Sequence, residues 1–230
     1  MVATFYDLVG KDDRRFSPNC WRSRMALAHK GLEVEVRPTR FTEIKAIGDG
    51  ECKTVPVLET DGQRVIDSWN IAQHLEATYP DRPPLFGGPG GEALSRFVLH
   101  WTTSTVHPGV MSLIIHDIYE HLTPEDRDYF RTSREAMLKR PLQEIQAGRE
   151  DRVEGFRKSL QPLRLRLTEQ PFIGGERPLY ADFIVFGAFQ WARVASPFRL
   201  LEADDPVYAW VGRCLDLFDG LARTTPAYHG

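Results

Sequence analysis

The sequence has 230 residues, a formal net charge of −3, 42% hydrophobic residues and 27% charged residues. This composition is typical of a globular protein whose chain is long enough to bury a substantial core. It indicates neither nucleic-acid binding nor an anionic membrane surface as partner, and no apolar run approaches the roughly 20 residues needed to span a bilayer.

The first part of the chain predicts short strands that alternate with helices. Gly31 ends the first helix, and Asp61-Gly62 forms a hairpin turn because both positions tolerate positive φ. We therefore expect a small α/β layer built on a mixed sheet. The predicted order is a strand (3–8), a helix (18–30), a strand (32–37), a weak helix (41–47), two strands (55–59 and 63–66) and a helix (68–78).

A segment dense in proline and glycine, 79–91, divides the chain, because it cannot continue a helix or a central strand. Beyond it the strand signals stop, and we expect only helices. The sequence therefore predicts a domain over 1–80, a linker over 81–91 and an all-helical domain over 92–230. The helices of that domain are predicted over 92–118 with a bend or break at Pro108, and over 125–138, 153–169, 180–196 and 206–219.

Ser17 lies between the first predicted strand and the first predicted helix, directly before Pro18. A helix N-terminus attracts anions, because its unpaired N–H groups and its dipole both favour negative charge. A free thiol has a pKa of about 8.5, and helix N-termini lower it. Taken alone, Ser17 is better interpreted as a helix cap. Beside a bound thiol, its hydroxyl and the helix end would stabilise a thiolate.

Two further segments can also be interpreted either as ordinary structural elements or as parts of a binding site. Val55-Pro56 leads into a strand, and Pro56 is a candidate for a cis peptide that would leave the Val55 N–H and C=O free to pair. Asp67-Ser68 begins the third helix, where Ser68 suits the cap or first turn and Asp67 can face an ammonium group. Alone, these are an ordinary strand edge and an ordinary cap. Together with Ser17, in this order and within this frame, they form a specific combination.

With these three segments the sequence resembles the cytosolic glutathione transferases over essentially its whole length. The resemblance implies a thioredoxin-like α/β N-terminal domain, an all-α C-terminal domain, and glutathione as cosubstrate with no metal. It assigns contact with the glutathione sulfur to Ser17, pairing with the cysteinyl backbone to Val55 before cis Pro56, and the γ-glutamyl end to Asp67 and Ser68. It also implies a homodimer and a small hydrophobic electrophile.

Further motifs resemble the bacterial glutathione-dependent lignin β-etherases and their fungal relatives. This resemblance implies attack of the glutathione thiolate on an activated carbon with displacement of an aryloxide. The motifs are Ser17-Pro18-x-x-Trp21-Arg22, Asp67-Ser68-Trp69-x-Ile71-Ala72, Tyr79-Pro80-Asp81-Arg82-Pro83, Gln146-Ala147-Gly148-Arg149-Glu150-Asp151 and Asp216-Leu217-Phe218-Asp219-Gly220-Leu221.

Several residues could belong either to a binding site or to the ordinary surface and core of the protein. Lys53, beside Val55-Pro56, is a better candidate than Lys45 for the glycine carboxylate of glutathione, although a solvated surface lysine is equally expected for each. Candidates for the electrophile pocket are Asn19, Trp101, His107 and Met111. For the last three, helical spacing predicts core packing at least as well.

The three cysteines, Cys20, Cys52 and Cys214, are widely spaced and cannot all pair, which favours free thiols and a reducing, cytoplasmic compartment. Residues 1–10 lack the charged leader and small-residue cleavage site of a signal peptide. Two alternatives to a transferase stay open. One is a protein of the same fold that only binds glutathione or apolar ligands, and the other is a glutathione-dependent reductase or peroxidase that reacts through Cys20.

Overall fold

The computed structural model describes residues 2–228, so the outermost ends of the predicted domains, at residues 1 and 229–230, lie outside the described part of the chain. Its N-terminal part is a four-stranded mixed sheet in the order β2-β1-β3-β4, with β1 parallel to β2 and the other pairs antiparallel. The predicted mixed sheet is confirmed. The elements are β1 (Ala3–Leu8), α1 (Pro18–His29), β2 (Val34–Thr39), β3 (Val57–Thr60), β4 (Gln63–Ile66) and α2 (Ser68–Thr78).

Apolar residues on β1 and β3 form the centre of this sheet. Phe5 pairs with Leu58, and Tyr6 with Val57, and all four side chains are buried. The strand predicted over 32–37 begins and ends two residues later and includes Pro38. Proline is tolerated there because β2 is an edge strand and one side of it needs no N–H donor.

The remainder of the chain is helical, as predicted. Helix α9 lies at its centre, with nearly every side chain buried, and contacts α1, α3, α4 and α10. None of the helices within residues 2–228 is long and apolar enough to cross a membrane. The helices are α3 (Pro89–Trp101), α4 (His107–Glu120), α5 (Pro124–Leu138), α6 (Leu142–Gln146), α7 (Arg149–Ser159), α8 (Gln161–Glu169), α9 (Tyr180–Ala195) and α10 (Pro206–Gly220).

Several predicted helices differ in detail. The bend at Pro108 is a π-helical segment, Thr102–Val106, in which the His107 N–H donates to the Thr102 carbonyl. This wider turn accommodates a proline that cannot donate to the usual carbonyl and would crowd it. The helix predicted over 153–169 is two helices, α7 and α8, because Pro162 lies in a first turn and starts a new one.

Three smaller differences concern two short helices and the start of α3. The weak helix predicted over 41–47 is a 3-10 helix, Phe41–Ala46. The five-residue helix α6 has too few residues to show an apolar period and was missed. Helix α3 begins at Pro89, inside the segment predicted as a linker, since proline suits a first helical turn.

The two halves of the chain meet closely beside Ser17. A Cβ atom on Gly187 would lie 2.4 Å from the Pro18 carbonyl oxygen, so only glycine lets α9 approach the start of α1. The Tyr180 hydroxyl donates to the Ser68 carbonyl at 2.6 Å. These contacts fix the helical half against the first turns of both α1 and α2.

Candidate active site

Ser17 caps helix α1 and faces a cavity between the two halves of the chain. Its Oγ accepts a hydrogen bond from the Cys20 N–H at 3.2 Å, and Pro18 occupies the first turn, as these residue types favour. The cap uses a lone pair of the oxygen and not the hydroxyl hydrogen, which is directed to the side chain of Cys20. The residue is 6% exposed, so a group that reaches it is largely shielded from water.

The cavity has a volume of about 580 Å³, within the range that holds small-molecule ligands. Six of the predicted residues line it: Ser17, Asn19, Lys53, Val55, His107 and Met111. Trp101 does not line it and instead packs, half-buried, against the hydrophobic core. Pro56, Asp67 and Ser68 are not among the lining residues, although Pro56 follows the lining residue Val55 and accepts a hydrogen bond from the Asp67 N–H.

The aromatic side chains that line the cavity were not predicted from the sequence. Phe41 packs against Phe130 with ring centroids 5.7 Å apart and against Tyr129 at 5.9 Å. Phe41 belongs to the 3-10 helix Phe41–Ala46, whereas Tyr129 and Phe130 belong to α5. No local sequence motif indicates that these two elements are in contact. The other lining residues that were missed include Phe16, Arg134, Met137 and Trp191.

The predicted cis peptide at Val55-Pro56 is confirmed. Within residues 2–228, no hydrogen bond uses the N–H or C=O of Val55, although its side chain is buried. Both groups are therefore available to a ligand with an extended backbone. Lys53, two residues earlier, is exposed and has no carboxylate within ion-pair distance among the described residues.

Asp67 connects the segment Asp67-Ser68 to the segment Val55-Pro56, because its N–H donates to the Pro56 carbonyl at 3.2 Å. Its Oδ1 caps α2 by accepting from the Trp69 N–H at 2.8 Å. Asp67 has a φ of 82°, a conformation that costs a non-glycine residue on the order of 1–3 kcal/mol and that concentrates at functional sites. The next residue, Ser68, is buried, and no hydrogen bond within residues 2–228 uses its hydroxyl.

A buried guanidinium lies behind these segments. Arg22, on α1, donates to the Ile184 carbonyl at 3.4 Å and to His107 Nε2 at 3.1 Å. Burial lowers the pKa of Arg22, and the nearby Tyr180 and Asp67 side chains raise it. Arg22 therefore connects α1, α9 and the first turn of α4 immediately behind the cavity.

Arg22 fixes the tautomer of His107, and burial is the main reason that the ring stays neutral. A guanidinium can only donate, so His107 Nε2 must accept, and the ring hydrogen resides on Nδ1. Burial, followed by the Arg22 charge, lowers the pKa of His107 to about 3. An imidazolium acid is thus absent near neutral pH. His107 offers the cavity a neutral N–H donor instead.

We expect this histidine to make the protein less stable in mild acid. The unfolded chain binds a proton at a pKa of about 6.5 and the folded state only near 3, so stability falls as the pH drops below 6.5 and is unaffected above it. At pH 5 the loss relative to pH 7 is on the order of 2 kcal/mol. Urea unfolding of wild type and His107→Gln at both pH values measures it, since glutamine accepts from Arg22 but does not titrate. Equal pH dependence of the two proteins would contradict the assignment.

Cys20 is unsuited to thiol chemistry. It is fully buried, and burial, followed by the Asp7 carboxylate, raises the pKa of its thiol well above the usual value. A reactive cysteine needs the opposite environment, with access to solvent and nearby positive charge. Cys52 and Cys214 are also free and buried.

Comparison with known proteins gives one family over both halves of the chain. A family described as "Glutathione S-transferase, N-terminal domain" matches residues 13–83, and "Glutathione S-transferase, C-terminal domain" matches residues 93–214. The chain is 27% identical over 221 residues to the glutathione S-transferase-like protein ustS of Aspergillus flavus, an alignment that covers 82% of this chain and 79% of ustS.

Solved structures show the same architecture. A glutathione S-transferase of Ceriporiopsis subvermispora, in complex with glutathione, superposes with a TM-score of 0.82 at 23% identity and covers 98% of this chain and 99% of its own. The glutathione transferase GSTFuA3 from Phanerochaete chrysosporium superposes with a TM-score of 0.77 at 26% identity, covering 100% of this chain and 98% of its own. The predicted fold class is confirmed.

Proposed function

Because this chain belongs to the glutathione S-transferase family, we propose that it joins glutathione to a hydrophobic aromatic electrophile and that Ser17 activates the thiol. The observation that carries this proposal is the position of the Ser17 hydroxyl, which lines the cavity at the N-terminus of α1 and caps the helix with a lone pair rather than with its hydrogen. A thiolate held there gains a hydrogen bond and the favourable end of a helix dipole. Both effects increase the fraction of bound glutathione that is ionised near neutral pH.

The neighbouring segments supply contacts for the rest of the tripeptide. The free N–H and C=O of Val55, presented by cis Pro56, suit the cysteinyl backbone. Asp67 and Ser68 suit the ammonium and carboxylate of the γ-glutamyl group, and the Lys53 ammonium suits the glycine carboxylate. The hydrogen bond between Asp67 and Pro56 supports this assignment, since it holds the two segments side by side.

The cavity wall supports an aromatic electrophile, and we propose β-aryl ethers as the substrate class. The thiolate would form a C–S bond to the carbon that carries the ether, and the C–O electron pair would leave on an aryloxide that takes its proton from solvent. Phe41, Phe130 and Trp191 offer rings for stacking. The Nδ1–H of His107 can donate to an oxygen of the bound substrate.

Glutathione-dependent turnover tests this proposal directly. We expect conversion of a β-aryl ether model compound to its glutathione conjugate and free phenol, with a larger kcat/KM than for an aryl halide. Conversion of the aryl halide alone would retain the transferase and reject the ether chemistry. Binding of glutathione without turnover of either compound would favour the binding-only alternative.

The same assay distinguishes the reductase or peroxidase alternative. A mechanism through Cys20 would be abolished in Cys20→Ser, whereas the proposed transferase should keep its rate within about twofold, because no step of the transfer uses the thiol and a serine hydroxyl can still bond to Asp7. The burial of Cys20 supports the second outcome.

A homodimer and a cytoplasmic location complete the proposal. Helix α3 exposes Leu94 and Phe97, with relative exposures of 68% and 70%, which supports contact with a second copy of the chain. The free thiols of Cys20, Cys52 and Cys214 support a reducing compartment.

A further inference from the structure

One wall of the cavity at Ser17 carries a positive charge that the proposed transfer does not use. Phe130, Arg134 and Met137 follow one another at helical spacing on α5, and all three line this cavity. The described residues that line it include two charged side chains, Lys53 and Arg134, both positive, and no aspartate or glutamate. Because Lys53 suits the glycine carboxylate of glutathione, only the Arg134 guanidinium is left without a role.

Two aromatic rings hold the Arg134 guanidinium. Its Cζ lies 4.9 Å from the centre of the Phe130 ring and 5.5 Å from that of the Phe41 ring. Phe41 is itself fixed, because its N–H donates to the buried Asp126 carboxylate at 3.2 Å. A guanidinium that stacks on ring faces keeps the N–H groups along its edge available for a planar acceptor such as a carboxylate.

Across the described part of the chain, the hydrogen-bond partners of Arg134 are uncharged. Its Nη1 donates to the Ser133 hydroxyl at 2.9 Å, and within residues 2–228 no carboxylate lies within ion-pair distance of it. Burial lowers the pKa of Arg134, and the Tyr129 hydroxyl nearby raises it. A guanidinium has more N–H donors than two hydroxyls can use. A partly desolvated cation in this state is stabilised most by an anion that enters the cavity.

The aromatic wall separates this charge from the place where sulfur would react. Phe16 precedes Ser17 in the chain, and its ring centre lies 6.2 Å from that of Phe41, on which Arg134 stacks. Two contacts between neighbouring side chains therefore lead from Phe16 to Arg134. An electrophile that reaches both ends should have its acidic group and its reacting carbon separated by an aromatic ring rather than by a single bond.

We propose that Arg134 selects electrophiles that carry a carboxylate on an aromatic body, so that the protein acts preferentially on aryl acids. The carboxylate would pair with the edge of the guanidinium, and the ring would stack on Phe41 and Phe130. This inference rests on the proposed transfer of glutathione and adds the chemical class of its second substrate. It applies to ethers and aryl halides alike.

The experiment compares 4-chloro-3-nitrobenzoate with its uncharged analogue 4-chloro-3-nitrobenzamide as glutathione acceptors. In both, the thiolate forms a C–S bond at the carbon that carries chlorine, and chloride leaves with the C–Cl electron pair. The readout is the ratio of kcat/KM for the acid to that for the amide, each divided by its uncatalysed rate constant. We expect a ratio of about ten or more in wild type and about one in Arg134→Gln. Arg134→Lys keeps the charge without the planar fork and should recover part of the ratio.

Arg131→Gln is the matched control. Arg131 lies on the same helix and stacks on Tyr119, with its Cζ 4.5 Å from the ring centre, but it does not line the cavity. Its ratio should equal that of wild type. An unchanged ratio in Arg134→Gln would overturn the proposal. So would a weaker Kd for glutathione in place of a lower ratio, because Arg134 would then hold glutathione itself.

A binding measurement separates this proposal from a failure of the transferase itself. Calorimetry with 2-naphthoate and 2-naphthamide, in the presence of saturating S-methylglutathione, needs no turnover. We expect wild type to bind the acid about tenfold or more tightly than the amide, and Arg134→Gln to bind both alike. If neither chloronitro compound is converted, the proposed transfer fails, and the preference for naphthoate still decides whether Arg134 selects acids. Equal binding of acid and amide by wild type would overturn the proposal, even if Arg134→Gln did not fold.

Discussion

Ser17→Ala should lower kcat/KM for glutathione transfer by about 10²-fold while changing the Kd of glutathione less than threefold. The size follows from the loss of one preorganised hydrogen-bond donor to a reacting anion, which typically costs about 10²–10³ in rate. Glutathione binding should persist because most proposed contacts to the tripeptide come from Val55, Asp67 and Ser68. The measurement is steady-state turnover, with glutathione binding followed by calorimetry.

The pH dependence of this variant separates activation of the thiol from a loss of shape. A thiol without the Ser17 donor should ionise closer to its usual pKa of about 8.5. The acid limb of the rate profile should therefore move to higher pH in Ser17→Ala, and the gap to wild type should narrow as the pH rises. A gap that is constant with pH would mean that Ser17 positions the tripeptide rather than ionises it.

Ser23→Ala is the matched control for this experiment. Ser23 lies on the same helix, is fully buried, and its Oγ has no hydrogen-bond partner within residues 2–228. Removal of an unsatisfied buried hydroxyl is neutral or stabilising, so activity should not change. Ser17→Ala also removes a helix cap, which costs about 0.5–2 kcal/mol of stability. Ser17→Thr keeps both cap and donor and should recover most of the rate.

The local structure of the three segments that we propose to bind glutathione was predictable, because their signals are local. Ser17 before Pro18 marks a helix start, Val55-Pro56 marks a strand entry, and Asp67-Ser68 marks a second helix start. What brings them together is the order of the strands in one sheet, and that order follows from a βαβαββα pattern. The three segments do lie near one another, as predicted, and their contacts with glutathione stay a prediction.

The aromatic side of the cavity, where we propose that the electrophile binds, was less predictable, because no local signal relates the residues that form it. Periodicity places Trp101 and Trp191 on helices but does not tell which ring faces the cavity, and only Trp191 does. The state of His107 depends on Arg22, far away in the sequence, and on a π-helical turn that rotates the start of α4. These contacts depend on how the N-terminal α/β half and the helical half of the chain pack against each other.

Asp182→Ala should lower the free energy of unfolding more than any other substitution considered for this chain. Its carboxylate is fully buried and accepts from the N–H groups of Ile173 at 2.7 Å, Gly174 at 3.0 Å and Leu179 at 3.0 Å, and from Trp210 Nε1 at 2.9 Å. The sequence lacks a capping hydroxyl at Leu179, and the structure shows that Asp182 itself satisfies the N–H of that residue.

Loss of the carboxylate leaves four donors without partners, and each unsatisfied buried donor costs about 1–3 kcal/mol. Because such costs are not additive, we expect a total of about 4 kcal/mol. Asp182→Asn keeps one acceptor oxygen but turns an NH₂ group toward the remaining donors, so it should fall between alanine and wild type. Urea unfolding measures both variants, and an unchanged m-value confirms that only stability has changed.

The matched control is Asp204→Ala, because Asp204 is exposed and makes no ion pair within residues 2–228. Its effect should stay within about 0.5 kcal/mol. A loss below about 1 kcal/mol for Asp182→Ala would contradict the assigned role. Substitution of Asp182 should also affect the candidate glutathione site, since Tyr180, in the same first turn of α9, donates to the Ser68 carbonyl. Asp182→Asn should therefore bind glutathione more weakly at temperatures at which it is still folded, whereas Asp204→Ala should not.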